Sequence, residues 1–276
     1  MQIFAIQLLL ASVAIATPPE SCTYKILSTP DFCQTDKLGK FHDNGKNFCG
    51  PAAVSNSFVW LAENGFPNLF DKVSNSKQGQ ISLINTLADR EWMKTVSKDG
   101  TGPRDLMSGI KKYVEAKGYE PDRLDCQGWR PVGGSFSSKS PTVSLDWLRE
   151  AIADPRGAAW INIGWYQHGK VKDELVRAGG HWMTLVGYGV NAKGDRDPSA
   201  FVAYDPAPRS GKGVVAHYFH VQECIAGSLV GDEKGLPRSA VGHHKIVDGI
   251  VPKSKMDVVI IDAAVILTLK PSIAAK

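Results

Sequence analysis

Apolar residues recur at intervals of three and four through the first half of the chain, then in short β-branched or continuous runs through the second. In "CGPAAVSNSFVWLAENG" the residues Val54, Phe58, Leu61 and Ala62 share helical spacing. Pro51 suits a first turn because its missing N–H needs no partner there, and Gly65 offers a left-handed stop. The pattern predicts a helix with Cys49 at or just before its N-terminus. Further helical patterns run from about 80 to 87, through "DLMSGIKKYVEAKG" with Asp105 as cap and Gly118 as stop, and through "SLDWLREAIA" behind Ser144 as N-cap. From Ala158 the signal changes to "AAWINIGWY", "HWMTLVGYGV", "AFVAYDP", "VVAHYFHV" and "DVVIIDAAVILTL", separated by polar or glycine-rich stretches that read as turns. Residues 231–255 are charged, contain Gly and Pro and show no period, which predicts a long surface loop or hairpin excursion before the last strand. Helices first and strands second is an α+β layout, with a helical lobe at about 47–155 and a β lobe at about 156–270.

The first sixteen residues, "MQIFAIQLLLASVAIA", are apolar and end in small residues. This is the pattern of a signal peptide cleaved near Ala16-Thr17, although its start carries no Lys or Arg. It predicts a secreted or periplasmic protein whose residues 17–276 form one domain. The run "VVIIDAAVILTL" is too short to span a membrane and carries Asp262, so no membrane partner is expected. A net charge of +4 without a basic cluster argues against a nucleic-acid partner. Export also makes the five cysteines informative, because an odd number in an oxidising compartment leaves one thiol free. Cys22 with Cys33 and Cys126 with Cys224 are the favoured disulfides among three possible pairings once Cys49 is set aside.

A thiol at a helix head is chemically distinctive, because unpaired N–H groups and the positive end of the helix dipole favour the thiolate. A cysteine nucleophile also needs a base, and the base needs a group to orient it. His181 opens "HWMTLVGYG" behind two glycines that let backbone and substrate approach, and Asp205 closes "FVAYDPA", where Pro206 ends the ladder. If these two runs are antiparallel neighbours joined around Gly194, the start of one lies beside the end of the other, and His181 meets Asp205.

These pieces, "NFCGPAAVSNSFVWL", "GGHWMTLVGYG" and "YDPA", resemble papain-like cysteine peptidases, in particular the bacteriocin-processing-peptidase-like branch. "LREAIADPRGAAWINIGWY" is similar to the helix and strand that precede the histidine in that family. His181 follows Cys49 by 132 residues and Asp205 follows His181 by 24, in the family's order of cysteine, histidine, then Asn or Asp. The resemblance implies a helical lobe with the catalytic cysteine at a helix N-terminus, packed on an antiparallel β lobe. It implies Cys49 as nucleophile, His181 as general base and acid, Asp205 as orienting group, and a peptide or protein substrate cleaved through an acyl-enzyme without a cofactor or metal.

One position departs from the family. A glutamine six residues before the nucleophile donates to the oxyanion there, and here that place holds Asp43, whose carboxylate can only accept. Asn44 could donate if the loop is shifted by one. The departure keeps a peptide-binding relative without turnover in play as an alternative, and the fold also hosts acyl transfer to an amine. Trp165, Tyr166 and Trp182 either line a substrate groove or pack in the core. His217 and His220 fall on opposite faces of a strand, and His243-His244 lacks the spacing of a metal site.

Overall fold

The computed structural model describes residues 17–71, 76–98, 100–207, 215–231 and 235–271. The signal peptide expected over residues 1–16 lies outside them. The chain opens with an extended segment punctuated by short 3-10 turns, then forms α1 (Cys49–Glu63), α2 (Ser76–Ala88) and α3 (Pro103–Ala116). After these come β1 (Pro121–Gly128), α4 (Leu145–Ala153), β2 (Gly157–His168), β3 (Glu174–Val190) and β4 (Arg196–Tyr204). The remainder is β5 (Ala216–Glu223), β6 (Ser228–Val230), β7 (Arg238–Ser239), β8 (His244–Ile246) and β9 (Val258–Leu269). The α+β layout of helices before a multi-stranded sheet is present.

The sheet closes on itself. β9 pairs β2, β2 pairs β3, β3 pairs β4, β4 pairs β5, β5 pairs β8 and β8 returns to β9, all antiparallel, while β1 flanks β9 and β6 and β7 extend from β3. Closure removes most exposed strand edges. Alternate residues fill the interior: Ile161 and Ile163 of β2, Met183 and Leu185 of β3, Phe201 and Ala203 of β4, and Phe219 of β5, with Leu148 and Ile152 of α4 packed among them. The opposite face of β2, β3 and β9, through Trp160, Trp182, Val265 and Leu267, packs on Val54, Phe58 and Leu61 of α1 and on Leu106 and Ile110 of α3.

Strand β9 is buried along its whole length, apolar on both faces, and interrupted by one bulge. Asn162 pairs with Ala263 and Ile163 with Ile261, which leaves Asp262 as the extra residue. Bulges re-aim a side chain, and this one turns a carboxylate into the protein interior. Helix α1 is likewise buried on every side from Gly50 to Ala62, so the narrow stripe expected from its sequence is replaced by a central helix. Two of its polar side chains meet a donor inside: Gln80 Nε2 donates to Asn56 Oδ1 (2.7 Å) and Ser55 Oγ (3.1 Å).

Three sequence expectations change. The stretch 231–255 holds β7 and the ring-closing β8, and His243 is buried there although the sequence pattern predicts a surface loop or hairpin excursion. β1, whose sequence "PDRLDCQG" has no apolar alternation, falls within the helical half because it pairs with β9. Asp105 is not the cap of α3: Gly102 holds that place, Pro103 begins the helix, and Asp105 in the first turn pairs with Lys98 at 2.5 Å. Ser144 does cap α4, accepting from Trp147 N–H at 3.4 Å.

The disulfide assignment is overturned. All five cysteines are free. Cys22 packs where the N-terminal segment bridges to Tyr188, its thiol on the Ile152 carbonyl, whereas Cys33 lies beside Thr35 and Ala207. Cys126 is buried under the helices and Cys224 belongs to a separate cluster around Trp129 and Tyr166. Five thiols should therefore titrate in denaturant without reductant. Reductant should shift Tm by less than about 1 °C, where losing a native disulfide would cost about 2–5 kcal/mol.

Candidate active site

The cysteine, histidine and aspartate singled out in the sequence all line one cleft of about 850 Å³. Cys49 is the first residue of α1, behind Phe48, and is partly exposed. His181 lies on β3 and Asp205 immediately follows β4, where the antiparallel register that pairs Thr184 with Tyr204 carries the two chains past each other. His181 Nε2 is 2.5 Å from Asp205 Oδ1, and Ala207 N–H donates to the same oxygen at 2.8 Å. The Cys49 thiol and the imidazole lie close enough for each to shift the other's ionisation. With Nε2 engaged by the carboxylate, Nδ1 is the nitrogen left for sulfur.

The electrostatics follow from these contacts. Burial opposes ionisation of Cys49, yet the bond and charge of His181, together with the N–H groups of Trp182 and Gly50, hold the thiol below its ordinary value. Burial likewise disfavours charge on His181, but Asp205 and Cys49 raise it well above the usual imidazole range. Burial pushes Asp205 up, and His181 and the Ala207 N–H more than offset it, so it stays a carboxylate. Thiolate and imidazolium are thus the stable pair between the lowered and the raised value.

The surroundings hold this geometry. Trp160 Nε1 (3.1 Å) and Thr184 Oγ1 (2.8 Å) both donate to the Ala53 carbonyl, one turn into α1. Trp182 Nε1 donates to the Thr101 carbonyl at 2.6 Å, and Gly50 is small enough for Thr101 to pack against the first turn of α1. Gln34, which sequence reasoning passed over, ties two pieces together. Its N–H donates to Pro206 O (2.9 Å), and its side-chain amide donates to the carbonyls of Gly45 (2.8 Å) and Lys46 (2.9 Å). The turn after Asp205 and the loop before Cys49 are thereby linked. A lone Gln in a coil segment carries no local signal of that role.

Asp43 and Asn44 both line the cleft, and both are left-handed, with φ of 49° and 51°. Asn and Asp adopt that region more readily than most residues. Of the three aromatic candidates, Trp165 and Trp182 line the cleft, Trp182 while almost fully buried. Tyr166 does not line it: it is fully buried, with its hydroxyl on Asp262 Oδ1 at 2.5 Å.

That tyrosine belongs to a second polar cluster behind the cleft. Asp262 is wholly buried and also accepts from Trp129 Nε1 (3.1 Å) and from Arg177 Nε (2.5 Å). An ionised carboxylate in the middle of the most apolar strand was the available sequence signal, since buried charges need partners. Removing Arg177 alone would strand it at a cost of about 3–5 kcal/mol. No group of three or more His, Cys, Asp or Glu side chains is arranged to hold a metal ion among the described residues. His244 instead shares its Nε2 with the Val143 carbonyl, and His220 stands between Asp197 and Asp248.

Alkylation of Cys49 by iodoacetamide should hold a plateau from neutral into mildly acidic pH and fall only below the depressed thiol value. His181→Ala should slow it about 100-fold at pH 6, because an ordinary thiol is under about 1% ionised there. Equal rates in the two proteins would separate Cys49 from His181. A scan against protein-family models and a search of curated protein sequences found no match to the chain.

Proposed function

We propose that the chain is a papain-like cysteine hydrolase of peptide or amide bonds. The observation that carries the reading is Cys49 set against a His181 whose ring is bonded to Asp205, all three on a cleft large enough for several residues of an extended substrate. The Cys49 thiolate attacks the carbonyl carbon, and the C=O electron pair moves to oxygen. Collapse of that intermediate breaks the C–N bond as His181 delivers its proton to the leaving nitrogen, giving a thioester and a free amine. Water then attacks the thioester, losing a proton to His181, and the acid leaves as the thiolate is restored. Asp205 keeps the ring oriented and stabilises the imidazolium.

The oxyanion needs donors in place before charge develops. The Cys49 N–H at the head of α1 is one, and Asn44 on the cleft wall is the second in this reading. A reading of peptide binding without turnover is favoured by Asp43, whose carboxylate lines the same cleft and would repel an oxyanion.

Turnover of a quenched-fluorescence peptide library should vanish in Cys49→Ser and in His181→Ala while the melting curve is kept. Loss of one oxyanion donor in Asn44→Ala should lower kcat by about 10²–10³ with little change in KM. The binding-only reading predicts the opposite pattern, with an inert native protein that gains turnover through Asp43→Gln. Full activity in Cys49→Ser would remove the nucleophile assignment.

A further inference from the structure

Resting on the hydrolase reading, we infer that the sheet wall of the cleft is a carboxylate-binding subsite built on Arg177, so that preferred substrates carry an acidic group close to the bond attacked. Arg177 lines the cleft beside His181, with 13% of its side chain exposed there and its Nε fixed on the fully buried Asp262. Nη2 reaches Asn162 Oδ1 at 3.4 Å, and Asn162 Nδ2 in turn reaches the His181 carbonyl at the same distance. Two of five guanidinium N–H groups are thus used as an anchor, and the fork has further donors to offer a ligand. Asp262 cannot swing away, because Tyr166 and Trp129 hold its other oxygen and the bulge fixes its backbone.

The backbone makes room for this ion pair. Gly164 and Gly180 are cross-strand partners on β2 and β3. A Cβ at Gly164 would overlap the Asp262 carboxylate, and one at Gly180 would overlap the Arg177 guanidinium. A buried ion pair adds little net stability over apolar packing. Its place at the cleft surface, four residues before His181 on β3, matches an arginine preset for planar, two-pronged recognition.

The local charge agrees. Five basic side chains line the cleft among the described residues, against two carboxylates, Asp43 and Asp205; Asp205 is engaged by His181, while Lys98 is paired with Asp105 and Arg177 with Asp262. Lys253 is exposed on the same lining. Arg130 borders Arg177 through Gly231, donating to the Gly231 carbonyl at 3.1 Å where Arg177 packs on the other side.

The test uses quenched peptides that differ only by Asp, Glu, Gln or Lys at each position around the scissile bond, with free and amidated C-termini. Acidic peptides should exceed their Gln isosteres at least about tenfold in kcat/KM, mostly through KM, as expected for a charge-assisted, geometrically matched bond. Preference confined to free C-termini assigns a terminal carboxylate, and preference in both sets assigns a side chain. In the paired variant Arg177→Gln with Asp262→Asn, which leaves no charge stranded, the acid-to-Gln ratio should fall to within about twofold of one. Arg177→Lys supplies the same readout if the pair does not fold, with the ratio falling at least about threefold because the fork is lost.

A native ratio near or below one, or a ratio unchanged by these variants, would overturn the inference. Fluorescence polarisation of the labelled acidic and Gln peptides on Cys49→Ala separates the two claims. Acid-selective binding without any native turnover sinks the hydrolase reading and leaves the subsite, whereas turnover without acid selectivity sinks the subsite alone.

Discussion

One carbonyl of helix α1 is clamped to the sheet by two donors. Ala53 O accepts from Trp160 on β2 and Thr184 on β3, and those two residues are themselves direct cross-strand partners. Ala53 lies four residues beyond Cys49 and Thr184 three beyond His181, so one clamp sets the height of the sulfur against the imidazole. Each such bond is worth only about 1 kcal/mol net, but an unmet buried donor costs more. Burial of both donors at this contact disfavours sliding the helix along the sheet. The close approach of thiol and ring therefore depends on interior packing, and loop closure is not required to assemble it.

The N-terminal segment completes the frame from outside. Cys22 pairs with Tyr188 at the far end of β3, Lys25 donates to the carbonyls of Asp154 and Gly157, and Gln34 joins the Pro206 turn to the loop ahead of Cys49. The segment has little regular structure of its own, yet it crosses both lobes. A strap of this kind needs no disulfide, because its polar groups are met by backbone carbonyls of the elements it covers.

Much of this was readable from residue pattern. Pro51 and Gly65 framed α1, Ser144 announced α4, and the apolar runs after Ala158 marked five of the nine strands among the described residues. Cys49 and Asp205 were found because each sits at an element boundary that punctuation residues reveal, whereas His181, expected to open its strand, lies inside β3, which starts seven residues earlier, and was marked by the two glycines before it. The missing parts have no local signature. β1 and β8 exist because β9 offers them the edge opposite β2, and a strand defined by its partner need not alternate in its own sequence. The cysteines misled because parity suggests pairs, whereas pairing needs sulfurs brought together by the fold. Gln34, Asn162 and Arg177 owe their positions to contacts between segments far apart in the chain.

Strand β9 reads "VVIIDAAVILTL", apolar at nearly every position. In most sheets a one-residue slip exposes the oily face and is forbidden for that reason. Here either parity would present apolar side chains to both layers, so hydrophobicity alone hardly distinguishes correct pairing from slipped pairing. Asp262 is the only charged residue in the strand, and its hydroxyl, indole and guanidinium partners come from β2, the end of β1 and β3. Sliding β9 by one place would leave that charge buried among hydrocarbon. The aspartate therefore acts as an index mark for strand alignment, by which a nearly featureless sequence finds one register and keeps the ring closed in it.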